Sequence, residues 1–505
     1  MFVPSQLSLS LDNDSHHPLH VQIYFGIRDA ILSGRIAPQT KLPSTRALAE
    51  MWSVSRSTVV LAFENLTAEG YLQSQMGSGT FTCELQPDRF LRVDGKLPTK
   101  KDLPPKDRRP IELSKRGQQM LGQYQMRRQL VDQPHPFRPG VSALETFPIA
   151  IWRRLTSRRW RSMSSSSLVQ NEPFGFRPLR EEIARHLRVS RDVHCEADQV
   201  VVVSSTQHAL ALIAQVLIDP GDPVWIEDPG YLRAQFSLSA AGATLIPVPI
   251  DAEGFNLEAA RRANPNARLA YVTPSHQYPL GAVMSLSRRL EMLEWANREN
   301  GCIIEDDYIS EYRYAGRPST ALQGLDELGR VLYLGTFSKV FSPALRLGYL
   351  VLPPSLLEAF QAERSLVDRG PSYFDQAVLS DFLKEGYFDQ HIRKMRTLYS
   401  DRRQTLQNAI KANLEGFMEI GANDAGMHVL GWLPPGISDV SVTTLLAEHG
   451  IMAPPLSHYC LRPHERGALL LGFTGYAEER LVRTVELMSD ILRQEYPSRF
   501  GQAGE

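Results

Sequence analysis

The stretch Gly335-Thr336-Phe337-Ser338-Lys339-Val340-Phe341-Ser342-Pro343-Ala344-Leu345-Arg346-Leu347-Gly348-Tyr349 follows the apolar run Val331 to Leu334. A short continuous apolar run bounded by glycine reads as a buried strand. A lysine in the turn after such a strand loses part of its solvation, which lowers its pKa and frees the amine for a Schiff base. The hydroxyls of Thr336 and Ser338 and the guanidinium of Arg346 suit a phosphate, because arginine offers a planar fork of donors. Taken alone, a Ser-Lys dipeptide is most simply a surface feature. Its weight comes from what stands upstream.

Cys302-Ile303-Ile304-Glu305-Asp306-Asp307-Tyr308 is a strand that ends in acids and a phenol. A carboxylate facing a pyridine nitrogen keeps that nitrogen protonated and makes the ring an electron sink. Asp306 fits this role, and Tyr308 is placed to hydrogen-bond a ring oxygen. Val203-Ser204-Ser205-Thr206-Gln207-His208 runs from a strand into a helix, so the first amides of that helix, with the hydroxyls of Ser205 and Thr206, form a phosphate cradle. Glu227-Asp228-Pro229-Gly230-Tyr231 follows the strand Val224–Ile226 and brings Tyr231 to where a ring can stack on a flat cofactor. Thr273-Pro274-Ser275-His276-Gln277-Tyr278-Pro279 closes the strand Leu269–Val272 and adds His276. Strands separated by helical stretches indicate an α/β class with a mostly parallel sheet. Ligands of such sheets sit at the carboxyl ends of the strands, and five strand ends here carry cofactor-type chemistry.

The first hundred residues read differently. His20 to Ser33 repeats Val21, Tyr24, Ile27, Ile31 and Leu32 at helical spacing, and Gly34 closes it. Ser44 caps a helix Thr45–Met51, and after a tight turn Ser55 caps a second one running from Arg56 to Glu69. Two short helices so joined are a helix-turn-helix, whose second helix enters the major groove. Tyr71–Ser74 and Thr80–Cys83 alternate around Gly77-Ser78-Gly79 as a hairpin wing. Arg46, Ser55, Arg56 and Thr58 lie at helix N-termini, where the backbone favours phosphate; Arg56 also has the reach of a base edge. Spacing alone leaves a helical protein-interaction module equally open, because residues 18–84 hold five basic and five acidic side chains and lack a basic footprint.

Of 505 residues, 43% are hydrophobic and 22% charged, the composition of a globular chain of two or three folded units with a net charge of −1. Between residues 85 and 133, twelve Lys/Arg face six Asp/Glu among Pro98, Pro104, Pro105 and Pro110. This reads as an extended, mobile linker whose charge is mainly solvated. The four cysteines are widely separated, so neither a disulfide framework nor a zinc or other metal site is expected, and a reducing cytoplasm fits. No secretory signal or membrane-length apolar run stands out.

Leu42-Pro43-Ser44-Thr45-Arg46, Val54-Ser55-Arg56-Ser57-Thr58-Val59, Leu66 to Tyr71 and Gly77-Ser78-Gly79-Thr80-Phe81 resemble, in order, the signatures of the GntR winged-helix family. The later peptides, together with Phe174-Gly175-Phe176-Arg177-Pro178-Leu179-Arg180 and His391-Ile392-Arg393-Lys394-Met395-Arg396, resemble fold-type I aminotransferases. The whole chain is similar to the MocR-type members of the GntR family. That resemblance implies a winged helix-turn-helix over 16–84 with Ser44, Arg46, Ser55, Arg56, Thr58, Gly77 and Gly79 near double-stranded DNA. It implies a linker over 85–133 and an aminotransferase-like domain over 134–498. There pyridoxal 5'-phosphate forms an internal aldimine on Lys339, with Asp306 at the pyridine nitrogen, Tyr308 at the ring oxygen and Tyr231 against the ring. Ser205, Thr206, Ser338 and Arg346 surround the phosphate, and His276 belongs to the same strand end. A head-to-tail homodimer binding a promoter with repeated half-sites is implied as well.

One departure bears on function. Aminotransferases of this fold hold the substrate carboxylate with an arginine on a late strand, and Ala468-Leu469-Leu470-Leu471-Gly472-Phe473 has none. Arg233, Arg462 and Arg466 are candidate substitutes. Losing a bidentate clamp misplaces an amino acid for proton abstraction, and an error of about 1 Å costs on the order of a hundredfold in rate. The balance therefore favours a DNA-binding regulator that senses an amino compound, or pyridoxal phosphate itself, over the alternative of a working transaminase with an appended module.

Overall fold

The computed structural model describes residues 9, 11–12, 15, 17–75, 78–83, 111–128, 136–165, 172–314, 320–368, 370–421 and 424–500. The chain divides into two compact units, Met1–Ile111 and Glu112–Glu505.

In the first unit, α1 (Leu19–Leu32), α2 (Thr45–Met51) and α3 (Arg56–Ala68) precede a hairpin of β1 (Leu72–Gln75) and β2 (Gly79–Thr82). The helical repeat of α1 buries Ile23, Ile27 and Ile31 against Leu48 of α2 and Val59, Ala62 and Leu66 of α3. Both predicted caps form: Ser44 Oγ accepts from the Ala47 amide and Ser55 Oγ from the Thr58 amide, each satisfying an amide the helix leaves unpaired. The wing strands pair antiparallel from Leu72 opposite Thr82 to Gln75 opposite Gly79.

The second unit opens with α4 (Lys115–Arg128), so this part of the segment read as an extended linker is helical. The helix is not free-standing, since Gln119 Nε2 donates to Ser239 Oγ at 2.7 Å. There follow α5 (Ile149–Arg161), α6 (Arg177–Arg191), β3 (Val200–Val203), α7 (Thr206–Leu217), β4 (Pro223–Asp228), α8 (Leu232–Ala240), β5 (Thr244–Asp251) and β6 (Gly254–Phe255). Next are α9 (Leu257–Ala263), β7 (Leu269–Val272), α10 (Leu286–Arg298), β8 (Cys302–Asp307), β9 (Val331–Thr336) and β10 (Gly348–Val351). The chain closes with α11 (Leu357–Val367), α12 (Tyr373–Lys384), α13 (Tyr387–Leu414), β11 (Glu419–Ile420), β12 (His428–Trp432), α14 (Asp439–Glu448), β13 (Ala468–Gly472), α15 (Glu478–Glu495) and α16 (Pro497–Phe500).

The large sheet has the order β3-β10-β9-β8-β7-β4-β5-β6. Neighbours from β9 to β5 run parallel, while β10 is antiparallel to both β3 and β9. Successive side chains of a strand point to opposite faces, and both faces are covered. Val201, Ile226, Tyr271, Ile304 and Leu334 pack on α7 and α8. On the other face Val200, Val202 and Tyr333 pack toward α6, α12 and α13, and Trp225 and Ile303 toward α9 and α10. A second sheet, β11-β12-β13, is antiparallel.

Strands β8 and β9 run further than their apolar residues. β8 includes Glu305, Asp306 and Asp307, all buried. A buried carboxylate is tolerated where donors meet it, and each has them. Glu305 accepts from the Leu322 and Gln323 amides, Asp306 from the Tyr271 hydroxyl, and Asp307 from Arg191 and Tyr333. Alternation turns Asp306 to the face of Ile304 and sends its two neighbours to the other.

Candidate functional site

Lys339 lies in the turn after β9, partly buried, with its Nζ donating to the Gly140 carbonyl at 3.0 Å. Burial, then the positive charges of Arg233 and Arg138, pull its amine down to about 8. Its own carbonyl accepts from Ser142 Oγ at 2.7 Å, and the next carbonyl, of Val340, accepts from Tyr312 Oη at 2.8 Å. The lysine is thus held at both ends. Gly140 has φ +69°, and a Cβ there would stand 2.6 Å from Lys339 Nζ, so a side chain at 140 would occupy the space of the amine.

The lysine faces a cavity lined by Thr206, Tyr231, Asp306, Tyr308, Thr336 and Lys339 together with Gly140, Tyr271, Tyr278 and His428. It opens at the carboxyl ends of β4, β7, β8 and β9, where the topology brings together side chains more than a hundred residues apart. Tyr271 Oη donates to Asp306 Oδ2 at 2.6 Å, while Asp306 Oδ1 is buried with no hydrogen-bond partner among the described residues. Burial pushes the Asp306 carboxyl up to about 7; the Tyr271 hydrogen bond works against that and the charge of Asp307 with it. The Tyr308 hydroxyl is likewise buried and unpartnered. Two orphaned polar atoms beside a desolvated lysine are expensive in a closed protein interior. They fit a flat heteroaromatic ligand that carries a carbonyl, a ring nitrogen that donates and a ring oxygen that accepts.

Thr206 brings the start of a helix to the cavity. Thr206 starts α7, and Ser205 caps it by accepting from the His208 amide at 3.1 Å. Arg346, in the left-handed region at φ +50°, ends the short turn Pro343–Leu345, and its charge reaches His208 near that helix start. The Ser338 amide donates to Thr336 Oγ1 at 3.1 Å. The structure therefore brings Thr206, Tyr231, Asp306, Tyr308 and Lys339 to one cavity; Ser205 and Ser338 are chain neighbours of the lining residues Thr206 and Lys339, and none of Ser205, Ser338 and Arg346 lines it.

His276 is a layer further out. It is buried with its ring centroid 6.3 Å from that of Tyr308, it does not line the cavity, and neither ring nitrogen has a hydrogen-bond partner among the described residues. Burial and His428 push it down to about 3, so it is neutral. Gly140, Tyr271, Tyr278 and His428 were not found from sequence. Tyr271 sits inside an apolar strand and reads as core, and Gly140 is separated from Lys339 by 199 residues, beyond any spacing rule. Of the three arginines considered in place of a carboxylate clamp, Arg466 pairs with Glu419 at 2.8 Å. Arg462 directs its amide to Asp228. Arg233 donates to Gln207 Oε1 at 2.7 Å, and its positive charge acts on Lys339.

In the first unit Arg46 and Arg56 are exposed at the starts of α2 and α3, and Arg46 makes only a 3.4 Å surface pair with Glu50. Thr58 Oγ1 lies 2.7 Å from Ser55 Oγ. Gly79 takes φ +111° at the start of β2, while Gly77 lies outside the described residues.

Residues 19–82 match the bacterial regulatory proteins of the gntR family, and residues 150–469 match aminotransferase class I and II. Over 468 residues the chain is 40% identical to the probable rhizopine catabolism regulatory protein MocR of Rhizobium meliloti, covering 92% of both chains. The chain is a MocR-type member of the GntR family. A second relative, the pyridoxine biosynthesis transcriptional regulator PdxR of Corynebacterium glutamicum, is 29% identical over 96% of this chain and 98% of its own. Among solved structures, Pyrococcus horikoshii kynurenine aminotransferase, in complex with PMP, aligns with a TM-score of 0.67 at 25% identity over 76% of this chain and 96% of its own. LysN of Thermus thermophilus, complexed with N-(5'-phosphopyridoxyl)-L-leucine, gives 0.68 at 25% identity over 74% and 96%. This MocR-type chain is a DNA-binding transcription regulator with a fold-type I aminotransferase domain, whose cofactor is pyridoxal phosphate. No helix among its described residues is long and apolar enough to cross a membrane.

Proposed function

We propose that this regulator acts in the cytoplasm as a head-to-tail homodimer and reads, at Lys339, the presence of a small amine or of pyridoxal phosphate itself. The observation that carries the reading is the partly buried Lys339 amine, drawn to about 8, in one cavity with Asp306 and Tyr308, whose Oδ1 and hydroxyl have no partner among the described residues. Lys339, Asp306, Tyr308 and Tyr231 would hold the ring of pyridoxal phosphate, and Ser205, Thr206, Ser338 and Arg346 its phosphate. When bound, the cofactor supplies a carbonyl carbon that condenses with amines and a ring that withdraws electrons. The chain's own residues set the conditions. The Gly140 carbonyl orients the lysine amine, and desolvation makes it easier to deprotonate than an ordinary lysine. Tyr271, itself buried, holds Asp306 Oδ2 and leaves Oδ1 for a ligand.

The proposed limits are 16–84 for the winged helix, 85–133 for the connecting segment and 134–498 for the aminotransferase-like domain, with α4 belonging to the second compact unit. At the DNA, Ser44, Ser55 and Thr58 fix the helix starts, and Arg46, Arg56, Gly77 and Gly79 meet phosphates or base edges of repeated half-sites. A ligand shifts the DNA-binding equilibrium only as far as it binds the two states differently. Footprinting upstream of the regulator's own gene tests this. We expect protection of repeated half-sites that changes with pyridoxal phosphate or an amine in wild type and no longer changes in Lys339→Ala. Sequence-indifferent binding at physiological salt would sink the proposal. Steady-state release of a keto acid from a broad amine panel would replace it with catalysis.

A further inference from the structure

A second cavity, of about 260 Å³, lies among the last turns of α6, the first turns of α13 and the turn after β8, and shares no lining residue with the Lys339 cavity. From α6 it takes Arg185, His186 and Arg191. From α13 it takes Asp389, Arg393 and Arg396, which recur at i, i+4 and i+7 and so lie on one face. The peptide His391–Arg396 contributes nothing to the lining around Lys339, yet it supplies two arginines here.

The charges of this lining are unequally satisfied. Arg191 donates to Asp307 Oδ2 and Ser275 Oγ, and Arg185 pairs with Glu182. Arg396 donates Nε to the Glu311 carbonyl at 2.6 Å, and neither it nor Arg393 forms an ion pair among the described residues. The two acids of the lining, Asp389 and Glu311, therefore leave both guanidinium groups without a close counter-ion. Burial, then the charge of Asp307, pushes the Glu311 carboxyl up to about 7, so it is easier to protonate than an ordinary glutamate. His186 stands edge-on to Phe388, and its Nε2 is buried with no hydrogen-bond partner among the described residues. Burial, above all, pulls its pKa down. Guanidinium forks match the oxygens of a carboxylate or a phosphate, and an imidazole N–H adds a further donor.

We infer that this cavity is a second small-molecule site of the regulator, separate from the cofactor, that takes a small oxyanion on Arg393 and Arg396 with His186 as a neutral donor. The site is tied to the cofactor strand. The Ser310 amide donates to Asp307 Oδ1 at 3.1 Å and Arg191 to Oδ2 at 2.8 Å, and Asp307 is the chain neighbour of Asp306. An occupant that draws on Arg191 or moves the Ser310–Glu311 turn changes the surroundings of Asp306, so the two sites are coupled in both directions.

The test uses the full-length, pyridoxal phosphate-loaded protein, so that the Lys339 site is filled, with succinate and inorganic phosphate titrated separately by calorimetry at constant ionic strength. Saturable binding of at least one probe is expected; succinate alone assigns a carboxylate, and phosphate alone a phosphate ester. Arg393 is exposed and its side chain has no partner among the described residues, so Arg393→Gln leaves the fold intact. It is expected to weaken binding by about tenfold or more. His186→Phe, which keeps a ring against Phe388 and removes Nε2, should weaken it as well. The same titrations followed at the absorbance band of the bound cofactor should show a change with the same midpoint, lost in Arg393→Gln. Binding that leaves the band unmoved overturns the tie through Asp307. Heats without saturation for both probes in wild type, or unchanged affinity in Arg393→Gln, would mean that these arginines serve only solvation, and overturn the site itself.

Discussion

Lys339 is destabilising where it stands until the site is filled. Its folded pKa of about 8 lies below the ordinary lysine value of 10.5, so the folded apoprotein binds its proton more weakly than the unfolded chain. Stability then rises with pH from about 8 to 10.5, and below that window the full penalty is present. At about 1.36 kcal/mol per pH unit the penalty is roughly 3 kcal/mol, less about 1 for the hydrogen bond to Gly140. Apo Lys339→Met is therefore expected to be more stable than apo wild type by about 2 kcal/mol at pH 7, in denaturant titration, with the gap closing toward pH 10. Tyr271→Phe makes the opposite kind of change. Without its donor the Asp306 carboxyl rises further above 7, so cofactor affinity falls several-fold near neutral pH and recovers at higher pH, read by spectral titration. Unchanged affinity and pH profile would show that Oδ2 needs no donor. Lys339 and Asp306 were legible because each ends an apolar strand. Tyr271, which orients Asp306, was not, because a tyrosine within a strand has the pattern of core.

The elements were legible wherever a local rule decides them. Ser44 and Ser55 were recognised as caps because serine ahead of a helical pattern answers the unpaired first amides. Removing the Ser55 cap in Ser55→Ala is expected to cost about 1 kcal/mol in the thermal unfolding of the first unit and to weaken DNA binding. A variant of full stability and full affinity would show the cap to be redundant with Thr58 or Ser57. Partners were illegible, and the helix α4 was missed, where tertiary contacts override the local pattern. β8 continues through three carboxylates because Arg191, Tyr271, Tyr333 and two amides wait for them, partners that no window of sequence reveals. α4 was missed because its residues are polar and follow a proline-rich stretch. Its observed anchor, Gln119 to Ser239, is again a partner far along the chain.

For the whole molecule, each unit has its own core: Ile27, Leu48, Val59 and Leu66 belong to one cluster, and the clusters of the large sheet share none of them. Scanning calorimetry is expected to resolve two transitions. Pyridoxal phosphate at about a hundred times its Kd should stabilise the larger unit by about 2.7 kcal/mol and leave the smaller transition in place. A single transition shifted as one would mean that the units unfold together. The separate cores also foretell the genetics of this regulator. Alleles at Lys339, Asp306 or Gly140 should still occupy the operator yet ignore the inducer, and so be dominant over wild type in a merodiploid. Core alleles before residue 111 should be null and recessive. A random mutant library sorted by phenotype would then fall on two sides of the boundary at Ile111, a map of the architecture drawn without any structural measurement.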